Sequence, residues 1–175
     1  RFRNVTGVQT CALPISILNG IANYRYSTGD LGNAQKTFEQ ALRVLRNTPG
    51  TDMQVAETLN NLAALEHRRK NWNKAERSYK EALLLTDSAL GPGSTDSAVT
   101  LNNLGVLFHD MKRTTDAELA FRRALDIRRN RLPADHPRIA TSLLSLSQIL
   151  VEQARYNEAA PLLEEAVKKI GRAHV

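Results

Sequence analysis

Aromatic residues make up only 5% of this 175-residue chain, and there is a single cysteine, Cys11. A lone cysteine forms no internal disulfide and no Cys-based metal site. Scarce aromatics leave little with which to stack bases, the main device of single-strand nucleic-acid binders. No apolar run approaches the roughly 20 residues of a membrane-crossing helix. Low-complexity tracts are missing, and so are a glycine-rich phosphate loop, a nucleophile triad and a convincing pair of carboxylates. These absences remove the common catalytic classes and leave a helical chain with no chemistry-bearing cluster.

What is present is repetition. Leu62, Ala75 and Ala82 are followed forty-two residues later by Leu104, Ala117 and Ala124, and after another forty-two by Leu146, Ala159 and Ala166. Forty-one residues earlier stand Ile21, Ala34 and Ala41. A large apolar residue separates each alanine pair: Phe38, Tyr79, Phe121 and Leu163. A small residue follows the first marker: Ala22, Ala63, Gly105 and Ser147. Four copies in register predict stacked units that cannot bury their apolar faces alone. The 4-then-3 spacing of alanine, large residue and alanine puts all three on one helix face. Two helices can then approach closely while one side chain fills the gap.

This pattern resembles the tetratricopeptide repeat, from about residue 17 to residue 169. The motif L-N-N-L at 59–62 and 101–104, with loops reading L-G-P at 90–92 and D-H-P at 135–137, is similar to the kinesin-light-chain-like subclass. Unit one departs from the pattern by its shorter period and by Arg25, where unit three has Phe108 and unit four Leu150; Glu66 breaks the same position in unit two. The resemblance implies an all-α, right-handed solenoid of four helix-turn-helix repeats, with units at about 17–46, 53–89, 95–131 and 137–169.

The two ends read differently. V-T-G-V-Q-T-C-A-L-P-I at 5–15 resembles the in-frame translation of a common short-read sequencing adapter. I-G-R-A-H-V at 170–175 resembles its reverse complement, which continues into a stop codon. Residues 1–16 and 170–175 are therefore expected to be non-native and are set aside from fold reasoning. A signal peptide is the competing reading of the first segment, but the stretch holds Pro14 and lacks a longer apolar run. Residues 16–169 contain no cysteine. Setting aside Arg1, Arg3 and Arg172 takes Lys+Arg from 24 to 21 against 18 acids, so the net charge falls from +6 to +3. The remaining 154 residues suffice for one domain and are expected to be a fragment.

Local signals set the turns. Ser27-Thr28-Gly29-Asp30 predicts a tight turn, with Gly29 available for positive φ and Asp30 for capping the next helix. Asp52 and Ser94 occupy equivalent N-cap positions, and Asp135 or His136 caps the last unit, with Pro137 in the first turn.

A helical wheel of unit two puts Ala56, Leu59, Leu62 and Ala63 on the packed side and Glu57, Asn61, Ala64 and Arg68 opposite. The resemblance implies that such opposite faces line a concave groove. Register then assigns Gly20, Asn23 and Ser27 to its floor in unit one, Val99, Asn103, Val106 and Asp110 in unit three, and Thr141, Ser145, Gln148 and Glu152 in unit four. Asn19, Asn60 and Asn102 lie at the edge. The floor is amide-rich and carries three acids and one Arg. An asparagine offers both donors and an acceptor to a peptide backbone, and such bonds contribute about 1 kcal/mol each, so several must act together. In the family, asparagines matching Asn61 and Asn103 hold ligand backbone. Asn61 and Asn103, flanked by Asn60 and Asn102, are the candidates here, with Arg68, Asn23, Ser145 and Gln148 beside them. The competing reading is that these amides bond each other or the adjoining repeat.

A carboxylate clamp fits poorly, because Glu57 and Val99 stand where cations are needed. His67 and His109 recur one repeat apart without the third ligand a metal site requires. The basic runs at 68–70, 122–123 and 128–131 are interleaved with Glu118, Asp126 and Asp135, as solvated faces with i,i+4 pairing are; a nucleic-acid surface needs one sign. Trp72 stands at a turn, as a cap on the hairpin core.

The sequence thus predicts a non-catalytic module that binds a protein or linear peptide, without cofactor, metal, nucleic acid or membrane. Two alternatives remain: a regulatory or sensing segment of a larger protein, and a self-stacking structural repeat. The absence of cysteine from residues 16–169 favours the cytoplasm.

Overall fold

The computed structural model describes the backbone of residues 9–172 and the side chains of residues 15–171. The side chain of Cys11 and the outermost parts of both adapter-like ends lie outside the described residues. Eight α-helices follow in order: α1 (Gln9–Ser27), α2 (Leu31–Arg46), α3 (Asp52–Arg68), α4 (Trp72–Leu90), α5 (Thr95–Asp110), α6 (Thr114–Arg131), α7 (Pro137–Glu152) and α8 (Tyr156–Arg172). No strand occurs among the described residues. The helices form four hairpins, and α1 begins ahead of the Ile17 expected from the repeat register. The chain divides into two compact units, Arg1–Leu85 and Thr86–Val175.

In the first unit α1 packs on α2, and α2 and α1 pack on α3. Ala34, Phe38 and Ala41 are fully buried on α2, as are Ala75 and Ala82 on α4, and Tyr79 between them is 2% exposed. Leu45, Leu59 and Leu65 complete this core. In the second unit α5 pairs with α6, α6 with α7, and α7 with α8. Ala117 and Ala124 are fully buried around Phe121. On α8, Ala159 and Ala166 are buried but Leu163 is 38% exposed. Ile21 on α1 is likewise 40% exposed, unlike Leu62, Leu104 and Leu146, which are buried. The apolar pattern of the first and last helices therefore reaches the surface of its own unit.

All four hairpins close with the same pair of bonds. The N–H groups of Asp30, Asn71, Arg113 and Arg155 donate to the carbonyls of Arg25, Glu66, Phe108 and Leu150 at 2.8–2.9 Å. The preceding residue donates to the carbonyl three positions back. This double closure requires a left-handed residue just past the helix end. Gly29 supplies it with φ 85°, but Lys70, Lys112 and Ala154 adopt φ 62°, 63° and 58° without being glycine.

Helix starts follow the expected chemistry with one correction. Asp30 accepts from the Asn33 N–H, Ser94 from Ser97, and His136 Nδ1 from Arg138. Asp52, however, is not an N-cap: it is the first helical residue, and Thr51 precedes it. The Thr51 hydroxyl closes the loop instead, 2.8 Å from the carbonyls of Leu45 and Thr48. Asp52 then favours the helix as a negative charge in its first turn.

Candidate functional site

In the first unit the outward positions of α1 and α3 form one face. Asn23, Ser27, Glu57 and Arg68 are exposed, and Asn60 and Asn61 are half-buried. A cleft of about 580 Å³ opens on this face. Asn19, Gly20 and Asn23 of α1 form one wall, Gln54 and Glu57 of α3 form another, and the loop at 48–51 with Leu45 closes the back. Ile15 and Ser16 border its N-terminal end. Its volume lies within the range of small-ligand sites, about 300–1,000 Å³.

The amides of this unit divide by what they already hold. Asn19 Nδ2 donates to the Thr58 hydroxyl at 2.9 Å, and Thr58 is fully buried, so this amide joins α1 to α3. Asn60 is engaged in an interaction of its own. Arg68, the single cation expected on the floor, is also committed. Its Nη1 donates to the Tyr26 carbonyl at 3.1 Å, and its guanidinium lies 5.4 Å from the Tyr26 ring centroid. The contact spans 42 residues, one first-unit repeat of 41 plus one position, so Tyr26 stands in register where His109 stands two units later.

In the second unit the corresponding face comes from α5 and α7. Val106 is 39% exposed, Gln148 is exposed, and Asn103 and Ser145 are half-buried. Asn103 is engaged in an interaction of its own. The Ser145 hydroxyl donates to the Thr141 carbonyl, one turn back on α7, at 3.1 Å. Gln148 Nε2 donates to Glu152 at 3.2 Å, and His109 Nε2 lies 2.8 Å from the same carboxylate. Burial acts to raise the Glu152 pKa, but these two hydrogen bonds and the charge of Lys112 outweigh it and hold the carboxyl below its ordinary value. His109 and Glu152 are separated by 43 residues, one repeat plus one position, so repeat register alone brings them close.

Asn102 belongs to the packing of this unit. Its Oδ1 accepts from Arg128 at 3.5 Å, and the same Nη1 reaches Ser142 Oγ at 2.5 Å and the Arg138 carbonyl at 3.1 Å. Arg128 is buried, and burial together with the charge of Arg138 lowers its pKa. The guanidinium thus pins α6 to α5 and α7 through neutral acceptors. Among the described residues no group of three or more His, Cys, Asp or Glu is placed to hold a metal ion. None of the described helices is long and apolar enough to cross a membrane.

A tetratricopeptide-repeat family model matches residues 14–83 and 54–130, and a second tetratricopeptide-repeat model matches 139–174. No curated protein sequence matches significantly. Among solved structures, BtubC (BKLC) from P. vanneervenii superposes with a TM-score of 0.85 at 24% identity, over 94% of this chain and 66% of that one. A putative kinesin light chain from Podosopora anserina, with nearly identical TPR-like repeats, gives 0.79 at 15% identity, over 91% and 76%. Aspartyl phosphate phosphatase F from Bacillus subtilis gives 0.82 at 15%, over 92% and 41%. The chain thus spans just under two thirds of the length of BtubC and less than half of the phosphatase. At these identities the likeness concerns the fold. The repeat register, the four identically closed hairpins and the family-model matches together make this chain a member of the tetratricopeptide-repeat family.

Proposed function

We propose that the chain is a non-catalytic interaction module that holds a linear peptide against the outward faces of α1 and α3 in the first unit, with those of α5 and α7 the equivalent face of the second. Tetratricopeptide repeats mediate protein–protein interaction, and the finer reading rests on one observation. The cleft of the first unit opens on the face that repeat register assigns to binding, and it is walled by amides and by Glu57. Asn23 presents its amide there, Asn61 lies half-buried one turn beyond Glu57 on α3, and Asn103, Ser145 and Gln148 occupy the equivalent face of the second unit. The L-N-N-L motifs and the similarity to a putative kinesin light chain support assignment to the kinesin-light-chain-like subclass. Residues 17–169 are taken as the repeat region, with the adapter-like ends outside it.

A phage-displayed peptide screen on residues 16–169 tests the reading, with Asn61→Ala/Asn103→Ala as the control. Enrichment of a linear motif that the double variant no longer binds supports it. No enrichment on a chain folded by circular dichroism points instead to a regulatory segment of a larger protein.

Self-stacking is the second reading, and a separate observation favours it. Ile17, Ile21 and Tyr24 on α1 are exposed at i, i+4, i+7 spacing, and Leu163 and Val167 on α8 at i, i+4. Each set forms an apolar stripe, and pairing unlike surfaces of two copies gives a head-to-tail contact.

A further inference from the structure

We infer that the cleft of the first unit selects a basic–aliphatic peptide segment, a Lys or Arg next to a Leu, Ile or Met side chain; this rests on the peptide-binding reading above and names the ligand chemistry. Among the described residues, Glu57 is the one ionisable side chain lining the cleft, and it is exposed at the rim. No lysine or arginine among the described residues lines the cleft. The floor's cation, Arg68, sits three turns further along α3 and is already held by the Tyr26 carbonyl and ring. An acidic peptide would therefore meet Glu57 with no described cation beside it, whereas a cation gains a charge-assisted hydrogen bond, the stronger kind.

The interior of the cleft is of another kind. Exposed Pro49 forms an apolar back, with Leu45 fully buried in the core behind it. Gly20 presents no side chain, and an added Cβ there meets nothing within 4 Å, so the α1 wall is open to a close backbone approach. The cleft of about 580 Å³ has room for a few side chains. An aliphatic group fits the back, the following cation reaches Glu57 at the rim, and the Asn23 amide on the α1 wall serves the peptide backbone. Recognition therefore needs both the charge and the adjacent apolar group.

The test uses the full chain and a peptide array of random heptamers. Peptides carrying Lys or Arg beside an aliphatic residue should be enriched. Glu57→Lys should weaken them at least tenfold and invert the preference toward Asp and Glu, and Gly20→Leu should weaken them by narrowing the cleft. Gln54→Glu, which adds a second acid at the rim, should strengthen them. Binding that is equal for Glu57→Lys and the parent overturns the cleft assignment while leaving peptide binding standing. Enrichment of acidic peptides by the parent does the same. Failure of every peptide to bind the folded chain overturns both readings.

Discussion

The Phe121 ring occupies the space that a Cβ on Gly105 would need: three ring carbons lie 2.5–2.8 Å from where that atom would stand. Real Cβ atoms do not approach a ring so closely, so the α5–α6 hairpin is built around the missing methyl. Gly105→Ala should destabilise the protein by about 1–3 kcal/mol through overpacking, although alanine is the better helix former. Urea unfolding of the single variant and of Gly105→Ala/Phe121→Leu checks this. The double variant should recover part of the loss, because leucine stands at the equivalent place in the last hairpin.

The left-handed turn residues make the opposite prediction. Lys70, Lys112 and Ala154 hold φ near 60°, a region that is costly for residues with a Cβ. Replacing each by glycine should stabilise by about 0.5–1 kcal/mol, net of glycine's greater freedom in the unfolded chain. Gly29→Ala should destabilise by a similar amount. Thermal midpoints of the four variants measure it directly.

These two features show what sequence carries and what it hides. The 42-residue register was enough to place four hairpins, the alanine–large–alanine faces and the caps at Asp30, Ser94 and His136, because each depends on local spacing. The left-handed turns were legible only at Gly29, since lysine and alanine do not advertise the conformation. Burial of Glu66 was hidden for another reason: its carboxylate is satisfied by Asn71 Nδ2 at 2.6 Å within the turn, so an acid tolerates an otherwise apolar position. The commitments of Arg68 to Tyr26 and of Asn102 to Arg128 join residues from different helices, and no pattern in one helix reveals them.

The amides should separate by mutation. Asn19→Ala removes a partner from the buried Thr58 hydroxyl and should cost about 1 kcal/mol of stability. Asn23→Ala should change stability by less than about 0.5 kcal/mol, as substitutions of exposed residues do, and Asn61→Ala, half-buried, by less than Asn19→Ala. Equilibrium unfolding of the three variants distinguishes an amide that joins helices from amides available to a ligand.

Acid should loosen the outer face of α6 and α8. Glu118 accepts from Arg122 and Arg155 at 2.8 and 2.7 Å, and Glu158 from the same two arginines at 3.3 and 2.7 Å. Burial raises the Glu118 pKa, but the two arginines outweigh it and hold it low; Glu158 is held low first by its hydrogen bond to Arg155. A carboxyl depressed in the folded state contributes stability above its unfolded pKa and loses it as pH falls through the folded value. Stability should therefore decline below about pH 4.5, the ordinary glutamate value, and Glu118→Gln should make that decline shallower. Urea midpoints between pH 2 and 7 for the two proteins give the comparison.

The most direct test of the binding account is a ¹⁵N NMR titration of the chain with a peptide selected by display, following side-chain amide signals as well as the backbone. Shifts concentrated in α1, α3, α5 and α7, including the side-chain amides of Asn23, Asn61, Asn103 and Gln148, are the predicted result. Shifts confined to α2, α4, α6 and α8, with those amides unmoved, would contradict it.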